Sequence, residues 1–156
     1  MTRRGHFSTQ LRTFIPAAIR NAKTFYDDTL IEHPWLNTSA MIWEQYPLQA
    51  FKAVPAASTA YPHRDMNIIS LFMVNYQSAS YDTLAEEIGK RGREVLLQSA
   101  GEDGHRVYVN YAFGDEDNEV VYEGPEGWRL QRLRKLKKKF DPKGVFNSYN
   151  PIKLYK

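Results

Sequence analysis

A nearly continuous apolar run at residues 68–76 (IISLFMVNY) constrains the fold more than any other feature of this 156-residue chain. β-Branched and aromatic residues dominate the run, and its length suits a strand better than a helix. A strand without polar alternation is typical of one that is covered on both faces. The run therefore predicts a central strand with other parts of the chain packed against both of its sides.

The spacing of apolar residues predicts the remaining elements. Three further segments have the composition of strands: 6–12, 39–46 and 107–113. Three have the three-and-four spacing of amphipathic helices: 14–31, 78–99 and 128–140. Pro16 is compatible with the first turn of its helix, and Ser78 or Ser80 can cap the second helix. The stretches 52–60 and 115–119 are predicted as loops, the second of them acidic, and 144–156 as an extended tail.

Strands and helices that alternate through short connections predict an α+β fold, an antiparallel sheet with helices packed on one face. In this prediction residues 1–104 form a region of mixed strands and helices, and residues 105–156 form a closing strand and helix. The length of the chain predicts that both regions pack as one compact unit.

Composition excludes several classes of function. The chain has no cysteine, which excludes disulfides and thiol catalysis, and its four histidines lack ligand spacing, so no metal site is expected. A net charge of +3 is too small to indicate nucleic-acid or membrane binding. No apolar run is long enough to span a membrane and no signal-peptide pattern follows the basic start, so a cytoplasmic location is the default expectation. Aromatic residues reach 13%, which suits a large core or a pocket for a flat ligand.

The predicted third helix carries a basic run that invites a nucleic-acid interpretation. Leucines interleave with the charges at helical spacing, so the pattern indicates an amphipathic helix with its charges on the solvent face. The acidic loop at 115–119 is expected to neutralise part of this charge. The basic run consists of Arg129, Arg132, Arg134, Lys135, Lys137, Lys138 and Lys139.

Four blocks, in this order, resemble those of one family. They are TAYPHR at 59–64, the apolar strand at 67–76, Tyr-x-Asn-Tyr at 108–111, and a closing helix that runs into FDPKGVF at 140–146. Together they are similar to the C-terminal part of berberine bridge enzyme-like FAD-linked oxidoreductases, within the vanillyl-alcohol oxidase type superfamily. The ending Lys153-Leu154 resembles fungal members, and the resemblance covers residues 6–154.

This resemblance implies a substrate domain whose sheet lies over the flavin ring of FAD. An N-terminal FAD-binding domain and the residues that attach the cofactor would lie upstream and are absent from the 156 residues. The implied activity is oxidation of a small alcohol or amine by hydride transfer to the flavin. The implied partners are the small-molecule substrate and either a separate FAD domain or a second copy of the chain.

The resemblance also implies site residues. Tyr108 and Tyr111 are predicted to be catalytic, and Asn110 is predicted to bind the cofactor. On a strand, Tyr108 and Asn110 would share one face and Tyr111 would lie on the other. Glu44 is a further candidate, from its place in the predicted strand 39–46 and not from the resemblance: it faces either substrate or solvent.

Ser70 and Phe72 occupy the positions where plant members of the family often carry a Lys and then a Gln or Glu, and they too are predicted to bind substrate. Neither residue is an effective base. That departure favours an alternative function: a cofactor-free small-molecule-binding protein, a pericyclase-like protein or an inactive pseudoenzyme. Without a flavin domain, Phe72 and Tyr111 are expected to be exposed and to promote self-association.

The Pro-His-Arg block is predicted to be structural. His63 titrates near neutrality, which makes it a candidate for catalysis, but in the family this position shapes the loop before the central strand. Arg64 is expected to form a local ion pair with Asp65.

Overall fold

Three antiparallel strands form the sheet in the computed structural model, which describes residues 2–154, with Glu102 represented by its backbone alone. The strands are β1 (Arg3–Leu11), β2 (Ala40–Gln45) and β3 (Ile68–Tyr76). Their order is β1-β3-β2, so the apolar run is the central strand, as the sequence predicts. The antiparallel sheet and its α+β class are confirmed.

Five α-helices accompany the sheet in the described part of the chain. They are α1 (Pro16–Glu32), α2 (Gln49–Ala53), α3 (Asp82–Leu97), α4 (Asn118–Tyr122) and α5 (Arg129–Phe140). Single 3₁₀ turns occupy Pro34–Leu36, Ala56–Ser58, Ala79–Tyr81, Gly101–Asp103 and Val109–Tyr111. Pro16 stands in the first turn of α1, and Ser78 accepts a hydrogen bond from the Ser80 amide before α3, which agrees with the predicted starts. Two short helices, α2 and α4, fall in or beside segments predicted as loops.

The long helices α1 and α3 cover one face of the sheet. Phe72 pairs with Phe7 on β1 and Met41 on β2, and this row packs into the main apolar core. α3 approaches the sheet closely at Gly89, where an added Cβ would lie 2.0 Å from the Phe7 ring. The packing of helices on one face is therefore confirmed.

The second face of the sheet is covered in part by the chain that follows residue 104. The Ser8 hydroxyl donates to the Tyr111 carbonyl at 2.7 Å, and the backbone N–H of Gln10 donates to the Arg106 carbonyl at 2.7 Å. Leu71, which points to this face, is buried. The central strand is thus covered on both sides, as its composition predicts. The division into regions 1–104 and 105–156 stays a prediction.

The strand predicted at 107–113 is wrong. This segment is an extended stretch with one 3₁₀ turn at Val109–Tyr111. Its carbonyl groups accept hydrogen bonds from side chains instead of a neighbouring strand: the Tyr149 hydroxyl donates to Val109 at 2.9 Å and to Ala112 at 2.8 Å. The tail that supplies Tyr149 was predicted as extended through residue 156, and residues 155–156 lie outside the described chain.

Helix α5 follows the predicted amphipathic pattern only in part: Arg129 and Lys137 do not lie on the solvent face, and Leu136 is exposed. Arg134 pairs with Glu119 of the acidic segment at 3.2 Å, as expected. Arg129 is fully buried and not on the solvent face. Its guanidinium donates to the Ala56 carbonyl at 2.7 Å and pairs with Glu126, so this charge ties α5 to the segment before β3.

Candidate functional site

An open cavity of about 520 Å³ lies beside the second face of the sheet. The ends of β1 and β3, the segment after β2, and the 3₁₀ turn at Val109–Tyr111 enclose it. Its aromatic lining residues are Tyr46, Phe51, Tyr61, Tyr108 and Tyr111. Its polar lining residues are Gln10, Glu44, Arg64 and Asn67. Aromatic walls with a few converging polar groups are typical of a site for a small organic ligand.

Glu44 brings two tyrosine hydroxyls together at this cavity. It lies on β2 opposite Ile69, on the face away from the long helices. Its carboxylate accepts hydrogen bonds from Tyr46 at 3.1 Å and from Tyr111 at 3.3 Å. The hydrogen bond to Glu44 raises the pKa of Tyr46, and burial together with the charge of Glu44 raises the pKa of Tyr111. Both tyrosines are therefore hydrogen-bond donors at neutral pH.

Tyr108 and Tyr111 also line the cavity, whereas Asn110 is exposed and lies behind Tyr108, outside the lining. The Asn110 amide donates to the Tyr108 hydroxyl at 2.8 Å, which leaves the proton of Tyr108 available to a ligand. The rings of Tyr108 and Tyr111 are in edge contact with centroids 5.8 Å apart. The prediction that these two tyrosines lie on opposite faces is wrong, because side chains three residues apart in a 3₁₀ turn point the same way.

Ser70 and Phe72 lie on the helix-covered face of the central strand and not at the cavity. Both are 0% exposed. Phe72 packs against Phe25 and Tyr26 of α1, so the predicted exposure of Phe72 is wrong. The reason is the register: Ile69, and not residue 70, shares a face with Glu44. The positions of Ser70 and Phe72 give no support to a substrate-binding role.

Gln10 and Tyr61 line the cavity although the sequence analysis did not single them out. The Gln10 amide donates to the Tyr61 hydroxyl at 2.7 Å. The other end of the same side chain, Oε1, is buried and has no hydrogen-bond partner in the described chain. The TAYPHR block was a signal for Tyr61, whereas Gln10 enters the site through its pairing with Ile69.

His63 is a structural residue, as predicted. It is buried, and its Nε2 lies 3.1 Å from the Val120 carbonyl. Burial lowers the pKa of His63 to about 4, so the ring is neutral at physiological pH. A neutral imidazole that donates to a backbone carbonyl links the loop before β3 to α4. The expected Arg64–Asp65 pair is wrong, because Asp65 instead pairs with Arg12.

The cavity fits a flat aromatic ring better than a metal ion. The part of the chain that the structure describes contains no cluster of three or more potential metal ligands. The unpartnered Oε1 of Gln10 is a buried acceptor that a ring N–H or a hydroxyl can satisfy, and burying it without such a donor is costly. Tyr108 and Tyr111 offer the ring edges and hydroxyls that would border an isoalloxazine. These features fit one face of a flavin.

Glycine-containing loops at a helix N-terminus are common phosphate sites, and a loop with Gly124 and Gly127 precedes α5. The Glu123 carboxylate already accepts hydrogen bonds from the amides of Arg129 at 3.1 Å and Leu130 at 3.0 Å. That helix start is therefore occupied by an internal anion.

No helix between residues 2 and 154 has the length and apolar character to cross a membrane.

Sequence comparison identifies relatives of known class. A family model described as "Berberine and berberine like" matches residues 107–153. FAD-linked oxidoreductase chry5 of Gibberella zeae is 38% identical over 148 residues, which cover 94% of this chain and 29% of that protein. FAD-linked oxidoreductase chyH of Penicillium rubens is 33% identical over the same length, with the same coverage of both chains. The chain thus spans under a third of the length of these curated relatives.

The fold gives the same answer. A solved structure of a berberine bridge enzyme variant superposes with a TM-score of 0.71 at 15% identity, over 100% of this chain and 34% of that one. The likeness covers the three-stranded sheet, the helices and the closing segment together. The superposition shows the shared fold. The family model and the curated relatives show that the chain belongs to the berberine bridge enzyme-like family of FAD-linked oxidoreductases.

Proposed function

We propose that this chain forms the substrate side of an FAD-linked oxidoreductase that oxidises a small organic alcohol or amine. The observation that carries the proposal is the Glu44 carboxylate, which lines the aromatic cavity and accepts hydrogen bonds from the hydroxyls of Tyr46 and Tyr111. Proton abstraction requires a base within hydrogen-bond reach of the ligand, and a carboxylate beside tyrosine hydroxyls at a cavity meets that requirement. The names of the curated relatives support the oxidoreductase class.

Glu44, Tyr111 and Tyr108 have different roles in the proposed reaction. Bound FAD would supply the hydride acceptor. Glu44 is the proton acceptor, either directly or through Tyr111, whose raised pKa keeps its hydroxyl protonated between substrate and carboxylate. The hydroxyl of Tyr108, held by Asn110, donates to a substrate oxygen or nitrogen and orients it.

A second candidate is a cofactor-free binding or pericyclase-like function. The observation in its favour is that residues of this chain alone form the cavity, with polar groups already in place. Such a protein would bind its ligand without flavin. The same cavity residues serve both candidates, so the test must address the cofactor directly.

The decisive experiment is FAD binding by the purified chain. The visible spectrum of the protein is recorded first, and FAD is then titrated by quenching of flavin fluorescence. We expect saturable binding that Tyr108→Ala weakens about three- to tenfold, because one aromatic contact is lost. Tyr81→Ala is the matched control, since Tyr81 stacks on Trp35 outside the cavity. Absence of binding at high FAD concentration would contradict the flavin role of this chain and favour the cofactor-free candidate.

A further inference from the structure

Arg64 enters the cavity wall with its charge uncompensated. Its guanidinium donates to the Thr59 hydroxyl at 2.9 and 3.2 Å and to the Phe51 carbonyl at 3.0 Å. All three bonds go to neutral acceptors. A guanidinium carries five N–H groups, so one on each terminal nitrogen remains unused.

The carboxylates nearest to Arg64 in sequence and in the cavity lining have other partners. Asp65, its neighbour in sequence, pairs with Arg12 on β1. Glu44, which also lines the cavity, accepts hydrogen bonds from Tyr46 and Tyr111. Within residues 2–154 no acidic side chain forms an ion pair with Arg64. A half-buried cation without a counter-ion favours the binding of an anion.

Aromatic rings hold the Arg64 guanidinium in one orientation. It lies over the Phe51 ring at 4.9 Å and near the Tyr61 ring at 6.0 Å from the centroid. Tyr61 is in turn fixed by the Gln10 amide. Such contacts restrict the side chain before any ligand arrives, so little rotamer entropy remains to be lost on binding. The planar fork and the aromatic walls together match a flat ligand that carries a carboxylate.

We infer that Arg64 binds the carboxylate of the substrate, and that the cavity accepts aromatic carboxylic acids. This inference rests on the proposed function, since it names the substrate class of the same cavity. A ligand whose carboxylate meets Arg64 places its ring among Phe51, Tyr61 and Tyr108. The oxidisable hydroxyl or amine then lies toward Glu44, whose negative charge disfavours the reverse orientation.

The test compares naphthoate with naphthamide, which have the same shape and differ in charge. Binding to the purified chain is measured by calorimetry at about pH 7, where the carboxylate is ionised. We expect naphthoate to bind at least about tenfold more tightly than naphthamide, because a charge-assisted hydrogen bond is stronger than a neutral one. Arg64→Gln is expected to abolish this preference. Arg91→Gln, an exposed arginine over Phe25 on the helix side, retains it.

Each contrary result overturns the inference. Equal affinity for the two ligands, failure of naphthoate to bind, or a preference that survives Arg64→Gln would show that Arg64 selects no carboxylate. If Arg64→Gln loses both ligands, Arg64→Lys decides, since it keeps the charge without the fork. Partial retention of the naphthoate preference supports the inference, and loss of both ligands shows a purely structural role. FAD binding without a carboxylate preference refutes the carboxylate site alone, whereas the preference without FAD binding refutes the flavin role alone.

Discussion

Replacing Gly89 by alanine tests the contact that fixes the sheet against α3. A Cβ at this position would lie 2.0 Å from one carbon of the Phe7 ring and 2.3 Å from two others, where ordinary contact begins at 3.4 Å. The ring cannot retreat easily. Phe7 is 1% exposed and stacks on Phe113 with centroids 4.3 Å apart. Phe113 lies two residues after Tyr111, which lines the cavity.

The magnitude follows from two opposed effects. Alanine in a helix interior is favoured over glycine by about 1 kcal/mol. Overpacking a filled core costs about 1–3 kcal/mol, and a clash with a confined aromatic ring lies at the upper end or above it. We therefore expect Gly89→Ala to lower the free energy of unfolding by about 2 kcal/mol. Urea denaturation should show a lower midpoint at unchanged slope.

Two further variants separate the two effects. Thr83→Ala, at an exposed position of the same helix, should be neutral or slightly stabilising, since it has the propensity gain without a clash. Phe7→Leu should make Gly89→Ala less costly, because it removes the ring that the new methyl meets. A Gly89→Ala protein as stable as the original, or more so, would refute the proposed packing.

Three other perturbations address charge and surface. Glu44→Gln should lower the pKa of both Tyr46 and Tyr111, because it removes the negative charge beside their hydroxyls, and a spectroscopic titration of phenolate would detect unchanged values if the contacts are absent. The pKa of His63 is about 4 in the folded chain and 6.5 when the ring is exposed, so the unfolded chain binds a proton first as pH falls. The free energy of unfolding should therefore drop by about 3 kcal/mol as pH falls from above 6.5 to below 4. Urea denaturation of His63→Gln should show a smaller drop, and an equal drop would count against His63 as its origin. Phe146, 80% exposed, should promote self-association, so Phe146→Ser should reduce the sedimentation-measured oligomer fraction, and no change would assign association to another surface.

The elements that could be predicted are those whose partners follow from a local pattern. β3 was predictable because a covered strand has to be apolar throughout, and α3 because its stripe of buried residues repeats at helical spacing. The segment 107–113 has the same strand-like composition but no neighbouring strand. Tyr149, from the far end of the described chain, supplies its hydrogen bonds, and such a long-range side-chain partner leaves no local signal.

The site could be predicted in part. Family resemblance pointed to Tyr108, Asn110 and Tyr111, and strand position pointed to Glu44. The structure places Glu44, Tyr108 and Tyr111 at one cavity and Asn110 in contact with Tyr108, although their catalytic and binding roles remain predictions. The face of each residue on β3 could not be assigned without the register, because a shift of one residue exchanges the two faces of a strand. Arg64 was assigned to its sequence neighbour because the contacts of a loop side chain with Thr59 and Phe51 leave no local pattern in the sequence.

The strand order β1-β3-β2 has a consequence for how the chain folds as it is synthesised. β1 emerges from the ribosome before its partner strand, Ile68–Tyr76. Arg3 therefore cannot pair until Tyr76 has been synthesised, nor Leu11 until Ile68 has been. β2 waits for the same strand. Both early strands therefore pass through an interval with unpaired edges, and closing loops of this length makes sheet formation slow. Substitutions that weaken β3 should reduce the yield of folded protein more than equally destabilising ones in α1, which can form from local contacts.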